Sequence, residues 1–340
     1  MKITLETIDE ILVQFFQNKS PWVVSTGKSG YNNTTRYVSV EDKKYILRVY
    51  ETHKDESKVE LEHEVLLRLS EDIKLPFQVP VPVPTANGKT LIRLQDGSNR
   101  IACLYQYIEG ENPQFESSDV ISSFGSSSAL LLQAMEKIKL QQPIVYRPYY
   151  EIETAYPNCP IEQVVKWCTD PPEAFNGYRS ELNKISEQIV HFIDYVPQLK
   201  KLPHQLIHGD LNESNVLIGN DQRINAILDF EFATRDLRVM EAAVCMAEIA
   251  VKEHDLSKLR EKIQIYLSAF SSVITLTPEE MDALPRLITL RRLDVFVHFL
   301  ARYLDGIDQD HILKEQIVKT VDHLYWLEEK GKQLLGLEYK

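Results

Sequence analysis

The sequence lacks the features that mark several protein classes. Its four cysteines are scattered without a Cys-x-x-Cys pair, so neither a zinc cluster nor a disulfide framework is expected, and a reducing compartment is the default. Basic residues number 38 against 50 acidic ones, and the net charge of −12 argues against a nucleic-acid partner, which needs a basic footprint. No apolar run is long enough to cross a bilayer, since the best candidate, residues 242–251, is short and contains Glu248.

The N-terminal residues do not resemble a signal peptide. Acidic residues interrupt their amphipathic pattern, and the basic head and continuous apolar core of a signal peptide are missing. We therefore expect a cytoplasmic protein without a membrane partner. The apolar fraction of 44% is typical of a globular chain, and 340 residues are enough for two domains of about 100–200 residues each.

Two parts of the chain differ in their patterns. Up to about residue 110, a helix, alternating strands, a second helix and further strands are predicted. A proline-rich stretch there is interpreted as a linker into a hairpin that turns at Asn87-Gly88. Beyond that part the patterns become mainly helical. We therefore expect two domains, residues 1–109 and residues 110–340.

The most informative stretch is HGDLNESN, residues 208–215, followed by DFE, residues 229–231. Asp210, Asn215 and Asp229 border apolar runs, although burying a carboxylate without a partner is costly. Phosphoryl transfer explains these residue types, because a carboxylate accepts the proton of the acceptor hydroxyl and hard oxygen ligands hold Mg²⁺ at the phosphates. Between them, VLIGNDQRINAIL predicts two strands and a tight turn. The other interpretation is a hairpin with surface acids and a helix cap.

The order and spacing of these residues resemble those of the aminoglycoside phosphotransferase/choline kinase-like superfamily, and within it the type II homoserine kinase-like group. The resemblance extends over about residues 20–300. It implies an α+β, bilobal protein-kinase-like fold, with a small N-lobe of antiparallel sheet and helix and a larger, mainly helical C-lobe. It also implies that Asp210 is the catalytic base, that Asn215 and Asp229 bind Mg²⁺, and that ATP is the phosphate donor.

The expected N-lobe contacts to the nucleotide start with STGKSGYNN. Gly27, Ser29 and Gly30 would form a loop over the phosphates, since glycines permit a close backbone approach. A hairpin turn that happens to contain glycine is the alternative.

Arg48, in YILRVY, stands where the family has a phosphate-contacting lysine. A guanidinium can bridge phosphate and carboxylate oxygens, and the alternative is an outward-facing strand arginine. The partner of Arg48 on the following helix is expected to be Glu62, with Glu64 as the alternative. Backbone groups between Gln106 and Ile108 are expected to bind adenine.

The stretch after DFE bears on the substrate. DFEFATRDL passes within a few residues into a helical pattern, which leaves no room for the activation segment of a protein kinase. No protein substrate is expected, and a small hydroxylated molecule is the predicted acceptor. In the family, residues at the positions of Asp236 and Glu241 brace the catalytic loop.

Three features of the C-terminal part leave alternatives open. The aromatic residues of segment 141–180 form either a cage for a quaternary ammonium or ordinary packing, and packing is favoured. Arg291, Arg292 and Asp294 face either the pocket or solvent, and a solvated helix face is favoured. Glu231 reaches a metal or a cationic substrate, or forms a salt bridge.

The function predicted from these residues is a Mg-ATP-dependent small-molecule O-phosphotransferase of the homoserine-kinase-like type. An aminoglycoside or choline/ethanolamine kinase is the alternative within the enzymes. A pseudokinase that binds nucleotide without turnover is the alternative from another class. Arg48 in place of lysine motivates that alternative, and the intact set of Asp210, Asn215 and Asp229 opposes it. The acceptor and the oligomeric state are left open.

Overall fold

The computed structural model describes most of the chain: residues 3–17, 21–27, 33–51, 54–251 and 253–335, without the side chains of 326, 328–330 and 332–334. Ser29 and Gly30, predicted to cover the phosphates, lie outside these ranges. Within the described ranges, no helix combines the length and the apolar character needed to cross a membrane.

An antiparallel sheet of five strands forms the core of the smaller lobe, in the order β1-β2-β3-β5-β4. Its central strands are rich in β-branched and aromatic residues, which favour the extended conformation of a sheet. A two-residue turn follows Val40. Val40 pairs with Lys43 across this turn, and this pairing sets the register of the longest strand pair, β2 with β3. The strands are β1 (Trp22–Thr26), β2 (Asn33–Val40), β3 (Lys43–Tyr50), β4 (Leu91–Arg93) and β5 (Ile101–Gln106).

Two helices cover opposite faces of this sheet. The apolar side of α1 (Leu5–Phe16) packs in one cluster with Leu47 and Val49. Val65 and Leu66 of α2 (Glu56–Ser70) belong to the other cluster together with Tyr50. Because side chains alternate along a strand, Arg48 lies on the α2 face with Tyr50. The sheet thus directs Arg48 toward the helix that carries its predicted partner.

The proline-rich segment between α2 and β4 differs from the predicted hairpin. The turn at Asn87-Gly88 is present, with a φ of 77° at Gly88, but both ends of the segment pair with β5, through Pro82 and through Leu91. Prolines lack the N–H that a regular hairpin ladder needs. Upstream, the N–H of Gln78 donates to a carbonyl oxygen of the larger lobe at 2.8 Å, so the segment joins the lobes.

The larger lobe is mainly helical and has one extensive apolar core. Its helices pack closely: a Cβ at Gly125 would lie 2.5 Å from the carbonyl oxygen of Tyr266 on another helix. All four cysteines of the chain are buried and free. The helices are α3 (Ser118–Met135), α4 (Ile161–Thr169), α5 (Arg179–Leu199), α6 (Arg238–Val251), α7 (Leu256–Ser271), α8 (Pro278–Leu304) and α9 (Asp310–Leu334).

Two nested strand pairs lie between α5 and α6. The outer pair is β6 (His204–Ile207) with β9 (Thr234–Leu237), and the inner pair is β7 (Val216–Ile218) with β8 (Ile224–Ile227). The predicted inner strands and turn are confirmed, and the short β9 precedes the predicted helix. Nesting brings the two connecting segments, which contain HGD and DFE, side by side.

Candidate functional site

The HGD segment is held by a buried carboxylate near the start of α6. Gly209 has a φ of 79°, in the left-handed region that favours glycine, so the chain turns sharply between His208 and Asp210. Glu241 is completely buried, and its Oε2 accepts the backbone N–H groups of His208 at 2.6 Å and of Gly209 at 3.2 Å. The expectation that Glu241 braces this segment is confirmed.

His208 ties the HGD segment to the chain that precedes Asp229. Its Nε2 lies 2.9 Å from the carbonyl oxygen of Leu228, and its Nδ1 lies 3.2 Å from the backbone nitrogen of Asp210. Because a carbonyl only accepts and a backbone N–H only donates, the ring carries its proton on Nε2. Burial lowers the pKa of His208, which favours this neutral form.

Both carboxylate oxygens of Asp210 have a partner. The Nδ2 of Asn215 donates to Oδ2 at 3.1 Å and to the backbone carbonyl oxygen of Asp210 at 2.9 Å. The Nη2 of Arg291 donates to Oδ1. The side chain of Asp210 nevertheless remains 19% exposed, so a ligand can reach it. These contacts fix the direction of the carboxylate.

Asp229 is returned to Asn215 by the inner strand pair. The backbone N–H of Leu228 donates to the carbonyl oxygen of Asn215 at 2.8 Å. Asp229 has a φ of 63°, a left-handed conformation that costs roughly 1 kcal/mol or more for a residue with a Cβ. Two residues later, the buried Glu231 accepts a hydrogen bond from Nδ2 of Asn33 at 3.1 Å, which links β2 to this segment.

Arg48 connects the smaller lobe to the DFE segment. Its Nη1 donates to Oε1 of Glu62 at 3.3 Å and to Oδ1 of Asp229 at 2.9 Å. Glu64, the alternative partner, instead accepts two backbone N–H groups from the segment after α3, at 2.7 and 2.8 Å. The predicted pairing with Glu62 is confirmed, and Arg48 is not an outward-facing residue, since its side chain is 17% exposed.

A chain of buried polar groups lies behind Glu62. The hydroxyl of Tyr50 donates to Oε2 of Glu62 at 2.7 Å and lies 3.0 Å from the hydroxyl of Tyr105, which lies 2.9 Å from Nε2 of His63. Burial raises the pKa of Glu62 to about 7, and the nearby Arg48 opposes this effect. Sequence patterns did not reveal this network; the available signal was strand alternation, which places Tyr50 on the side of Arg48.

The oxygen atoms at the centre of the site suit a hard cation bound together with phosphates. The described residues contain no group of three or more His, Cys, Asp or Glu side chains that would hold a metal by themselves. Asn215 and Asp229 supply one carboxamide and one carboxylate. Mg²⁺ keeps several waters and is usually bound by one or two carboxylates plus phosphate oxygens, so this donor set fits it in the presence of a nucleotide.

Two of the predicted nucleotide positions in the smaller lobe have defined backbone contacts. The N–H of Gly27 donates to the carbonyl oxygen of Thr35 at 3.2 Å, and a Cβ at Gly27 would lie 2.9 Å from Thr35 Cγ2. The N–H of Gln106 donates to the carbonyl oxygen of Val81 at 3.0 Å. The backbone N–H of Gln106 is therefore not available for the predicted contact to adenine, and Ile108 lies in the connection that follows β5.

The favoured interpretation of Arg291, Arg292 and Asp294 as a solvated helix face is wrong. Arg292 and Asp294 are buried, and the side chain of Arg291 is 18% exposed. The Nη1 of Arg291 donates to the hydroxyl of Tyr149 at 2.6 Å, while its Nη2 contacts Asp210. These contacts join α8 to the HGD segment.

The aromatic residues of segment 141–180 do not gather into a cage. Trp167 packs against Phe175 and Tyr303, whereas Tyr149 and Tyr156 approach the site through their hydroxyl groups. Ordinary packing, the favoured interpretation, accounts for Trp167.

Tyr149 also connects to the predicted bracing residue Asp236. The carboxylate of Asp236 is completely buried and accepts the backbone N–H groups of Tyr149 and Leu237. Burial raises the pKa of Asp236 to about 7. The hydroxyl of Tyr149 donates to the carbonyl oxygen of Gly209 at 2.7 Å. Asp236 therefore braces the HGD segment indirectly, through Tyr149.

A sheet lobe, a helical lobe and the HGD and DFE segments beside them define the α+β, bilobal protein-kinase-like fold. A microcompartment-associated aminopropanol kinase shares this fold, with a TM-score of 0.71 and 17% identity over 98% of this chain and 99% of that chain. The amicoumacin kinase hAmiN, in complex with AMP-PNP, Ca²⁺ and Ami, shares it with a TM-score of 0.67 and 15% identity over 96% and 94% of the two chains.

The family profile named APH, the phosphotransferase enzyme family, matches residues 24–279, and the chain belongs to this family. A homoserine kinase from Sinorhizobium medicae (strain WSM419) is 29% identical over 231 residues, which cover 66% of this chain and 63% of that protein. The chain thus spans less than two thirds of this relative's length. The resemblance to the homoserine kinase-like group is confirmed.

Proposed function

We propose that this protein is a Mg-ATP-dependent phosphotransferase that moves the γ-phosphate to a hydroxyl group of a small molecule. The observation that carries the proposal is the arrangement around Asp210. Asn215 and Arg291 fix its carboxylate, Asp229 lies on the neighbouring segment, and the carboxylate is still accessible. Such pre-orientation is what positioning of an acceptor hydroxyl requires.

Asp210 is the proposed general base. As the acceptor oxygen forms a bond to the γ-phosphorus, the bond from that phosphorus to the bridging oxygen of ADP breaks, and the hydroxyl proton passes to Asp210. Each carboxylate oxygen has two acceptor positions, so Asp210 can accept a proton while Asn215 and Arg291 remain bound. Asn215 and Arg291 keep the carboxylate in position during the transfer. ADP is then released.

Asn215 and Asp229 are the proposed metal ligands. The Nδ2 of Asn215 donates to Asp210, so its Oδ1, which also accepts a hydrogen bond from Oγ of Ser214 at 3.3 Å, would be the atom that holds a cation. Oδ1 of Asp229 binds Arg48, which leaves Oδ2 for the same purpose. Mg²⁺, when bound there, neutralises the charge that develops on the phosphate oxygens.

The smaller lobe is the proposed nucleotide-binding part, with residues 1–109 as the N-lobe and residues 110–340 as the C-lobe. Arg48 is proposed to take the role of the family's phosphate-contacting lysine, since a planar guanidinium that bridges two carboxylates can still direct N–H groups to a phosphate. Gly27, Ser29 and Gly30 would lie over the phosphates, with adenine at Gln106 and Ile108.

The proposed acceptor is a small molecule of the homoserine-like kind. Relatives named homoserine kinase and a fold neighbour named aminopropanol kinase both act, by their names, on small molecules that carry a hydroxyl and an amino group. A protein acceptor is not proposed, because β9 and α6 follow the DFE segment directly. A cytoplasmic location stays a prediction.

Release of ADP from Mg-ATP tests the proposal, with homoserine, ethanolamine, choline, sugars and aminoglycosides offered as acceptors. Asp210→Asn should lower turnover by about 10²- to 10⁴-fold and leave ATP binding intact, because the base is lost while the phosphate contacts remain. Asp221→Asn, an exposed acid in the turn between β7 and β8, is the matched control.

Two outcomes would contradict the proposal. Wild-type turnover in Asp210→Asn would exclude this residue as the base. Binding of Mg-ATP by the wild-type protein without ADP release on any acceptor would instead support a nucleotide-binding pseudokinase.

A further inference from the structure

Helix α8 presents a cation and an anion beside the proposed base. Arg291 and Asp294 are three residues apart and therefore lie on one face of the helix. The guanidinium of Arg291 is already engaged, because Nη2 donates to Asp210 and Nη1 donates to the hydroxyl of Tyr149 at 2.6 Å. Its nearest carboxylate is that of Asp210.

Asp294 is the carboxylate that this arrangement leaves under-compensated. It is 9% exposed, and its Oδ1 accepts a hydrogen bond from the hydroxyl of Tyr156 at 3.1 Å. Its Oδ2 lies 3.9 Å from Nη1 of Arg291, which is longer than a hydrogen bond. A buried carboxylate is costly without a close cationic partner, and burial raises the pKa of Asp294 to about 6.

The charges on this side of the site do not balance. Two carboxylates, Asp210 and Asp294, share the single guanidinium of Arg291. Arg48, on the smaller lobe, contacts Glu62 and Asp229 instead. One further positive charge next to Asp294 would restore the balance on this side.

We propose that Asp294, held by Tyr156, binds a primary ammonium group of the acceptor, so that the substrate is a small amino alcohol. An ammonium has three N–H donors that suit Oδ2 of Asp294. A quaternary ammonium has none and would need aromatic faces, whereas Tyr156 contributes its hydroxyl group here.

The two carboxylates are close enough for one small acceptor to contact both. Arg291 contacts each of them, so Oδ1 of Asp210 and Oδ2 of Asp294 lie at most roughly 9 Å apart. The inference rests on the proposed function for the hydroxyl position, but the ammonium subsite can be tested without turnover.

Calorimetric titration of matched pairs provides this test. Homoserine is compared with 4-hydroxybutanoate, which lacks the amino group, and ethanolamine is compared with choline. The wild-type protein should bind each primary amine about 10- to 100-fold more tightly than its partner, as expected for hydrogen bonds to a charged group. This comparison needs no variant and therefore does not depend on how a variant folds.

Asp294→Asn should abolish the preference for the amine and leave the weak binding of 4-hydroxybutanoate unchanged. Asp282→Asn, an exposed acid on the same helix, is the control and should retain the preference. Equal wild-type affinities within each pair, or an unchanged preference in a folded Asp294→Asn, would overturn the ammonium subsite. Amine-selective binding without ADP release would instead contradict the proposed phosphotransfer and leave the subsite intact.

Discussion

Replacing Glu241 by glutamine should change how stability depends on pH. Glu241 is completely buried beneath the HGD segment, where its Oε2 accepts two backbone N–H groups. Burial raises its pKa from the ordinary value of 4.5 to about 7, although the two hydrogen bonds oppose the shift. At a pH between these two values, Glu241 holds a proton in the folded protein that it has released in the unfolded chain.

The sign and size of the effect follow from this difference. Because the folded state binds more protons in that window, raising the pH from about 4.5 through about 7 lowers the free energy of unfolding. At about 1.4 kcal/mol per pH unit, the loss amounts to about 3 kcal/mol. Glutamine cannot ionise, and its carbonyl oxygen can still accept the two N–H groups, so Glu241→Gln should remove this part of the pH dependence.

Urea unfolding of both proteins between about pH 5 and about pH 8 measures the effect. We expect the free energy of unfolding of Glu241→Gln, relative to wild type, to rise by about 2–3 kcal/mol across that range. Glu187→Gln, an exposed glutamate on α5, is the control and should follow the wild-type curve. A constant difference between Glu241→Gln and wild type at every pH would refute the reasoning.

Two further predictions concern packing and capping in the larger lobe. Gly125→Ala should lower the free energy of unfolding by about 1–3 kcal/mol despite the better helix propensity of alanine, since its Cβ would meet the carbonyl oxygen of Tyr266 at 2.5 Å. Gly177→Ala, where a Cβ meets nothing within 4 Å, should be neutral in the same denaturation assay, and equal losses in both would contradict the packing argument. Thr277→Ala removes the N-cap of α8 and should lower the free energy of unfolding by about 1 kcal/mol, whereas the exposed Thr275→Ala should not change it. Wild-type stability of Thr277→Ala would show that the cap is dispensable.

The features that depend on local sequence were predictable. The order of the elements in the smaller lobe follows from hydrophobic periodicity and capping residues, such as Asp55 before α2. The arrangement of Asp210 and Asn215 follows from a motif of short spacing, and the inner strand pair accounts for the return of Asp229.

The features that depend on distant packing were not predictable. Arg291 lies on a helix whose polar residues suit a solvated face, and only contacts with Tyr149 and Asp210, 142 and 81 residues away in the chain, bury it. The proline-rich segment is interpreted from its sequence as a linker into a hairpin; the turn at Asn87-Gly88 is present, but the residues on both sides of it pair with β5. The Tyr50–Glu62 hydrogen bond joins a strand to a helix, and neither element alone indicates it.

The central claim is that Asp229 and Asn215 hold a metal–nucleotide complex beside Asp210. Calorimetric titration of ATP with and without Mg²⁺, into the wild-type protein and Asp229→Ala, tests it most directly. Mg²⁺ should strengthen ATP binding clearly in the wild-type protein and only slightly in Asp229→Ala, because the carboxylate that would hold the cation is gone. An equal effect of Mg²⁺ in both proteins would contradict the account.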